Sequence, residues 1–186
     1  KGNMVLFSHL KKVTKIKKDF SKKMEFHDEN EIGIRRKKTY WLDDIRKKVN
    51  DFQPDLIAIS STEDMWQLGM MLLEGIREYK TKHNVPVIAG GVFPTFAPQI
   101  AIQNNLVDMV CVGEGENAMI DLCYRIGRGE SYLDVTNLWV KNDGTLTKNS
   151  ITSPVDINAS PMIDISLFEE KRLYRPMAGK WYKMLP

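Results

Sequence analysis

Three short stretches place hydroxyls, bare backbone and carboxylates where an apolar run ends: Ser60-Ser61-Thr62-Glu63, Gly90-Gly91-Val92-Phe93-Pro94-Thr95 and Gly113-Glu114-Gly115. Serine and threonine hydroxyls can donate to and accept from ligand amides or a phosphate, and they serve equally well as helix caps. Gly90 and Gly91 permit unusual dihedrals and close approach to the main chain, while Pro94 and Pro98 stiffen the exit. A tight strand-to-helix turn with no ligand has the same needs. Glu114 and Glu116 put negative charge at a helix start, which suits the dipole and opposes phosphate. There is no G-x-G-x-x-G and no P-loop, so a ligand at these loops is expected to be rich in neutral amides.

The elements that must position these loops alternate along the chain. Met4–Phe7 reads as a strand, and a basic passage to about residue 38 reads as loop. Trp41–Phe52 sets Leu42, Ile45, Val49 and Phe52 on one helical face, and Gln53-Pro54 ends it. A strand, Leu56–Ser60, follows. Ser61 with Asp64 makes a capping box for a helix with Met65, Leu68, Leu72, Ile76 and Tyr79 as its apolar stripe. Next come the strand Val87–Ala89, a short helix around Pro98–Asn104, the strand "DMVCVG" (108–113) and a helix opening at "EGEN" and running to about Gly127. Such alternation specifies an α/β fold, a Rossmann-like (flavodoxin-like) parallel sheet with helices on both faces. All three loops then fall on its C-terminal edge, where open α/β sheets bind ligands. "LWVKNDGTLTK" (138–148) reads as a C-terminal hairpin through Asn142-Asp143-Gly144, and 149–186 as an irregular tail or docking strap. The expected organisation is an α/β domain over 1–136 and a hairpin and linker over 137–186.

Composition narrows the function classes. The chain has 186 residues, 42% of them hydrophobic, and a net charge of +3, enough for one α/β core with an appendage. The basic excess is local, crowded into the Lys-rich stretch 11–23, which carries few aromatics and no nucleic-acid motif; no nucleic-acid partner is expected and the patch stays unassigned. Cys111 and Cys123 are too few for a disulfide framework, a four-ligand zinc site or an iron–sulfur cluster, and His9, His27 and His83 lack ligand spacing. No metal held by protein side chains is expected. No apolar run reaches the length of a membrane span and no signal peptide is evident, so the expectation is a cytoplasmic protein with no membrane partner.

Four pieces, in order, resemble the N-terminal cobalamin-binding domain of B12-dependent radical SAM proteins, the group that includes the anaerobic magnesium-protoporphyrin monomethyl ester cyclase and many methyltransferases. "QPDLIAISST" resembles that family's P-D-L-[IV]-[GA]-[IV]-S strand, "VPVIAGGVFPTFAPQ" its glycine-glycine-x-x-P-T loop, "VDMVCVGEGE" its strand ending in G-E-G-E, and "DINASPMIDISLF" the run before its catalytic domain. The resemblance implies cobalamin as cofactor, with the corrin over the C-terminal edge and a nucleotide tail threading between sheet and helices. Gly90 and Gly91 would make room for that tail and the Ser60–Thr62 hydroxyls would bind it, with Glu63, Val92, Phe93, Pro94, Thr95, Gly113, Glu114 and Gly115 completing the cofactor-binding set. On this reading Gly91→Val abolishes binding without unfolding the chain.

The departures shape the expectation too. The D-x-H-x-x-G segment that offers an imidazole to cobalt in mutases is absent, and the C-x-x-x-C-x-x-C triplet of radical SAM enzymes is absent. "KGNMVLF" resembles the family's second strand, so its first strand and helix are expected to precede Lys1. The chain is therefore expected to be a non-catalytic module of a radical SAM methyltransferase or cyclase, whose [4Fe-4S] cluster and S-adenosylmethionine belong to a separate domain of the parent chain, the module's partner. Cobalt is expected to carry no histidine ligand, His9 being the one candidate near the correct edge. Two alternatives stay open: the same fold without cofactor, as a structural or substrate-recruiting module, and an unrelated flavodoxin-like or receiver domain.

Overall fold

Strands that are apolar on both faces and closed by small residues must lie inside a sheet covered on both sides. In the computed structural model, which describes residues 26–27 and 38–184, that is the place of Val87–Gly90 and Met109–Cys111, whereas Ile57–Ser60 ends the strand order among the described residues with Ala58 and Ser60 exposed. A two-residue strand, β1 (Phe26–His27), comes first. Helix α1 (Trp41–Phe52) is followed by β2 (Ile57–Ser60), α2 (Glu63–Gly75), α3 (Arg77–His83) and β3 (Val87–Gly90). Then come α4 (Val92–Phe96), α5 (Pro98–Gln103), β4 (Met109–Cys111), α6 (Glu116–Arg128), β5 (Leu138–Asn142) and β6 (Thr145–Lys148). The expected strand Met4–Phe7, His9 and the Lys-rich stretch lie outside the described residues.

The chain divides into two compact units. In the first, residues 39–160, the sheet order is β2-β3-β4-β5-β6. β2 pairs parallel with β3 (Ile57↔Val87 to Ser60↔Gly90), and β3 pairs parallel with β4 (Ile88↔Met109). The hairpin is not an appendage to this sheet: β5 joins β4 antiparallel (Val110↔Trp139) and β6 completes it, which makes the sheet mixed. Leu138 and Val140 alternate with less buried Trp139 and Lys141, so the hairpin's apolar face closes the core beside α6. One apolar cluster lies between α2, α5 and the face carrying Val87, Ala89 and Val110; the other joins Ala118 and Leu122 of α6 to Ile88, Met109 and Cys111.

Several expectations shift by a residue or two, for physical reasons. α2 starts after Thr62 and its side-chain capping box does not form: Ser61 Oγ donates to the Thr62 carbonyl at 2.7 Å, and Thr62 Oγ1 donates to Asp64. The buried stripe of α2 is Trp66, Gly69, Met70 and Leu73, leaving Met65 and Leu68 exposed. Gly69 decides this rotation. A Cβ there would run into Cδ1 of Ile59, so the helix lays its smallest residue on β2. Gly69→Ala is expected to change stability by less than about 1 kcal/mol in urea unfolding, because the far end of Ile59 can turn aside and alanine is the better helix former. The helix also breaks at Ile76 (φ −115°, ψ 13°) before α3 rather than running on through Tyr79. Phe52, expected on the buried face of α1, is 78% exposed at the helix end, where Gln53 adopts φ 51°.

The second unit, described at residues 26–27, 38 and 161–184, has its own three-stranded sheet. β7 (Tyr174–Met177) and β8 (Lys180–Lys183) form a hairpin through Ala178 and Gly179, both at positive φ, and β1 adds antiparallel to β8. The tail is thus less irregular than its weak periodicity suggests. Among the described residues no helix is long and apolar enough to cross a membrane.

Candidate functional site

Parallel pairing of β2, β3 and β4 brings the three loops to one edge, and hydrogen bonds join them into a single rim. The Ser61 N–H donates to the Gly90 carbonyl at 3.0 Å, and the Phe93 N–H donates to the Ser61 carbonyl at 3.0 Å. Gly113 N–H then donates to Thr95 Oγ1 at 3.2 Å. Gly91 sits at φ +91°, ψ −167°, a region essentially reserved for glycine. A Cβ on it would lie 2.8 Å from Ser60 Oγ, 2.9 Å from Ser61 N and 3.0 Å from Ser61 O. What approaches the chain so closely at residue 91 is therefore its own neighbouring loop. The expectation that a branched residue at 91 would spare the fold does not survive this geometry.

Gly90 is different. A Cβ there would meet only the Cβ of Cys111, at an ordinary 3.7 Å. Its face of the sheet is the one that carries α6, because Ile88, two residues earlier, packs with Leu122. On that face the register places Ala58 beside Ile88 and Ser60 beside Gly90, and both Ala58 and Ser60 are exposed. The result, among the described residues, is a floor of three small residues over which nothing packs at β2, with α6 on one side.

The remaining predicted residues divide by direction. Ser60 and Thr62 are exposed, whereas Ser61 is buried with its hydroxyl already committed. Glu63 is exposed in the first turn of α2. Val92 is 59% exposed at the edge, but Phe93 turns inward onto Trp66, ring centroids 4.9 Å apart, and Pro94 is buried. Gly113 (φ +89°) is exposed and Gly115 precedes α6. Glu114 accepts the Val155 N–H with its carboxylate at 2.5 Å, so it serves the following segment of chain.

Asn137 was not foreseen. It is 4% exposed, holds φ 66°, donates through Nδ2 to the Glu114 carbonyl at 2.8 Å, and accepts at Oδ1 from the Thr152 N–H at 2.7 Å. Its backbone carbonyl takes the Val112 N–H and its N–H meets the Ser150 carbonyl. An asparagine just before a strand reads as an ordinary turn residue, and only the spatial meeting of residues 112–114 with 150–152 reveals the hub. Cys111 lies beneath this corner; burial chiefly, with Glu116 nearby, pushes its thiol pKa up and keeps it protonated and inert. His83 stacks on Tyr79 at the opposite edge, centroids 4.4 Å apart, and His9 and the His27 side chain lie outside the described residues. Among the described residues no cluster of His, Cys, Asp or Glu could hold a metal ion.

The family model described as the B12 binding domain matches residues 22–122, from before α1 into α6 and across all three loops. The chain belongs to the B12-binding domain family. Solved structures similar to this B12-binding domain include the cobalamin-dependent S-adenosylmethionine radical enzyme OxsB with aqua-cobalamin and S-adenosylmethionine bound, at 21% identity and a TM-score of 0.53 over 61% of this chain. Another is the radical S-adenosylmethionine methyltransferase TsrM from Kitasatospora setae with tryptophan and a SAM analog bound, at 15% identity and a TM-score of 0.51 over 59%. At these identities the likeness establishes a common fold. The chain spans 16% of the OxsB chain and 22% of the TsrM chain. No curated protein matches it significantly by sequence. Among the described residues, this edge of the B12-binding domain presents the exposed hydroxyl residues Ser60 and Thr62, side-chain-free Gly113 and Gly115, and the small residues Ala58 and Gly90.

Proposed function

We propose that the chain binds cobalamin along the C-terminal edge of β2–β4 and serves as the cobalamin module of a radical SAM methyltransferase or cyclase. The supporting observation is the open floor of Ala58, Ser60 and Gly90 beside α6, within the span matched by the B12-binding family. Gly90 and Ala58 leave space for the nucleotide tail. The Ser60 and Thr62 hydroxyls bind its polar groups, and Gly113 and Gly115 offer main chain to the amides of the corrin rim. Val92 adds apolar contact, while Gly91, Phe93, Pro94 and Thr95 hold the loop that carries it. Bound cobalamin supplies a cobalt able to carry and release a methyl group. The iron–sulfur cluster and S-adenosylmethionine belong to the partner domain, and the cobalamin unit includes the compact unit 39–160 with its hairpin, rather than ending at residue 136.

The test is reconstitution with hydroxocobalamin, followed by desalting and absorbance. The wild type is expected to retain corrin near one per chain. Ala58→Leu should keep the melting temperature, because residue 58 is exposed, yet weaken binding about tenfold or more by filling the floor. Wild-type protein that elutes without corrin would sink the reading.

A further inference from the structure

After the hairpin the chain does not leave the ligand edge. Residues 150–155 cross beside the end of β4 and are pinned there from below. The Asn137 side chain holds Thr152 through both its N–H (2.7 Å) and its hydroxyl (3.1 Å), the Ser150 carbonyl accepts the Asn137 N–H at 2.9 Å, and the Glu114 carboxylate holds the Val155 N–H. Between these anchors stands Ile151, 61% exposed, with Cγ2 3.7 Å from the position a Cβ would take on Gly113. A chain segment with this many fixed points, carrying an exposed branched apolar residue at a ligand rim, is more than a connector.

We propose that residues 150–155 form a wall of the cobalamin site, with Ile151 in contact with the bound ligand and Glu114 and Asn137 as positioning residues that latch the wall; this rests on the function proposed above. The latch engages one of the two carboxylates that the sequence places at the opening of α6, Glu116 remaining exposed in its first turn. A carboxylate at the opening of a helix opposes a ligand phosphate, but here Glu114 is turned to a backbone N–H of the strap and its charge is engaged there. Ile151 in turn offers the kind of surface that the methyl-bearing edge of a corrin needs, beside the bare backbone of Gly113.

The experiment titrates hydroxocobalamin by absorbance into the wild type, Glu114→Ala, Glu114→Gln and Ile151→Ser, with melting temperatures and limited proteolysis measured alongside. Glu114→Ala is expected to weaken binding about tenfold, the worth of one charge-assisted hydrogen bond. It should also speed cleavage within 150–160 in ligand-free protein. Glu114→Gln, which keeps an acceptor oxygen, should recover most of both. Ile151→Ser should weaken binding about fivefold by removing apolar contact, with the melting temperature unchanged because the side chain is exposed. In the wild type, cobalamin should protect 150–155 from the protease. A wild type that binds corrin while Glu114→Ala and Ile151→Ser bind equally well overturns the wall and leaves the cobalamin reading intact. Glu114→Ala that is cleaved within 150–160 no faster than the wild type overturns the latch, since the Val155 N–H would then need no carboxylate. A wild type that binds no corrin defeats the proposed function and the wall together.

Discussion

Gly91→Ala is expected to lose about 3 kcal/mol or more of folding stability in ligand-free protein. Two costs add. The backbone at φ +91°, ψ −167° lies where L-residues are strained by about 1–3 kcal/mol. The new methyl would also press on Ser61 N and Ser61 O, which are main-chain atoms of a loop tied to Gly90 and Phe93 and so unable to give way cheaply. Gly90→Ala is the control, and should change stability by less than about 1 kcal/mol because its Cβ meets only Cys111 at 3.7 Å. Urea unfolding of the two variants without cofactor decides the matter. Equal midpoints would mean that the chain does not need glycine at 91, and ligand space would again be the better reason for it.

Asn137→Ala is the second large loss, about 3 kcal/mol. The substitution strips part-buried hydrogen bonds from the Glu114 carbonyl and the Thr152 N–H, each worth about 1 kcal/mol because both partner residues reach solvent. Alanine is also a poor occupant of φ 66°, which asparagine tolerates through its short polar side chain. Asn137→Gly separates the causes. It relieves the dihedral but not the lost bonds, so it should recover about 1 kcal/mol of the loss. Denaturant midpoints that leave glycine as stable as asparagine would show the side-chain bonds to be worth nothing.

The ligand edge was legible because it depends on local patterns. Runs such as "LIAIS" and "VIAGG" are short, apolar and closed by small residues, and each needs only its own composition to be read as a strand with a loop behind it, although only the second is buried on both faces. α1 kept its expected bounds since its start and its Gln53-Pro54 stop are both local. What escaped is set by contacts between distant residues. The stripe of α2 turned because Gly69 meets Ile59, ten positions earlier, and apolar residues all round that helix leave periodicity with no preference. Phe52 fits the apolar face of α1 in sequence, yet the last turn overruns the layer it rests on. Gly90 and Gly91 look alike in sequence and differ entirely in space: one is held by the opposing loop and the other is free to face a ligand. The hub at Asn137 depends on 23- and 15-residue separations that no motif records.

The mixed sheet has a consequence for how the unit comes together. On one side of β4 the hairpin β5–β6 closes through Asp143 and Gly144, so its pairing costs little loop entropy. On the other side, pairing Ile57 with Val87 demands that a chain of 30 positions, 57 to 87, be ordered first. Local contacts form early and distant parallel ones late. Joining that hairpin to β4 also spans a long stretch, Met109 to Val140, so only β5–β6 itself is expected to form early, with φ-values highest at Val140 and Thr147 and lower along β2 and β4. The β2, β3 and β4 ends that carry the three loops are then expected to take shape together, after the hairpin, because each of their pairings waits on a long intervening segment.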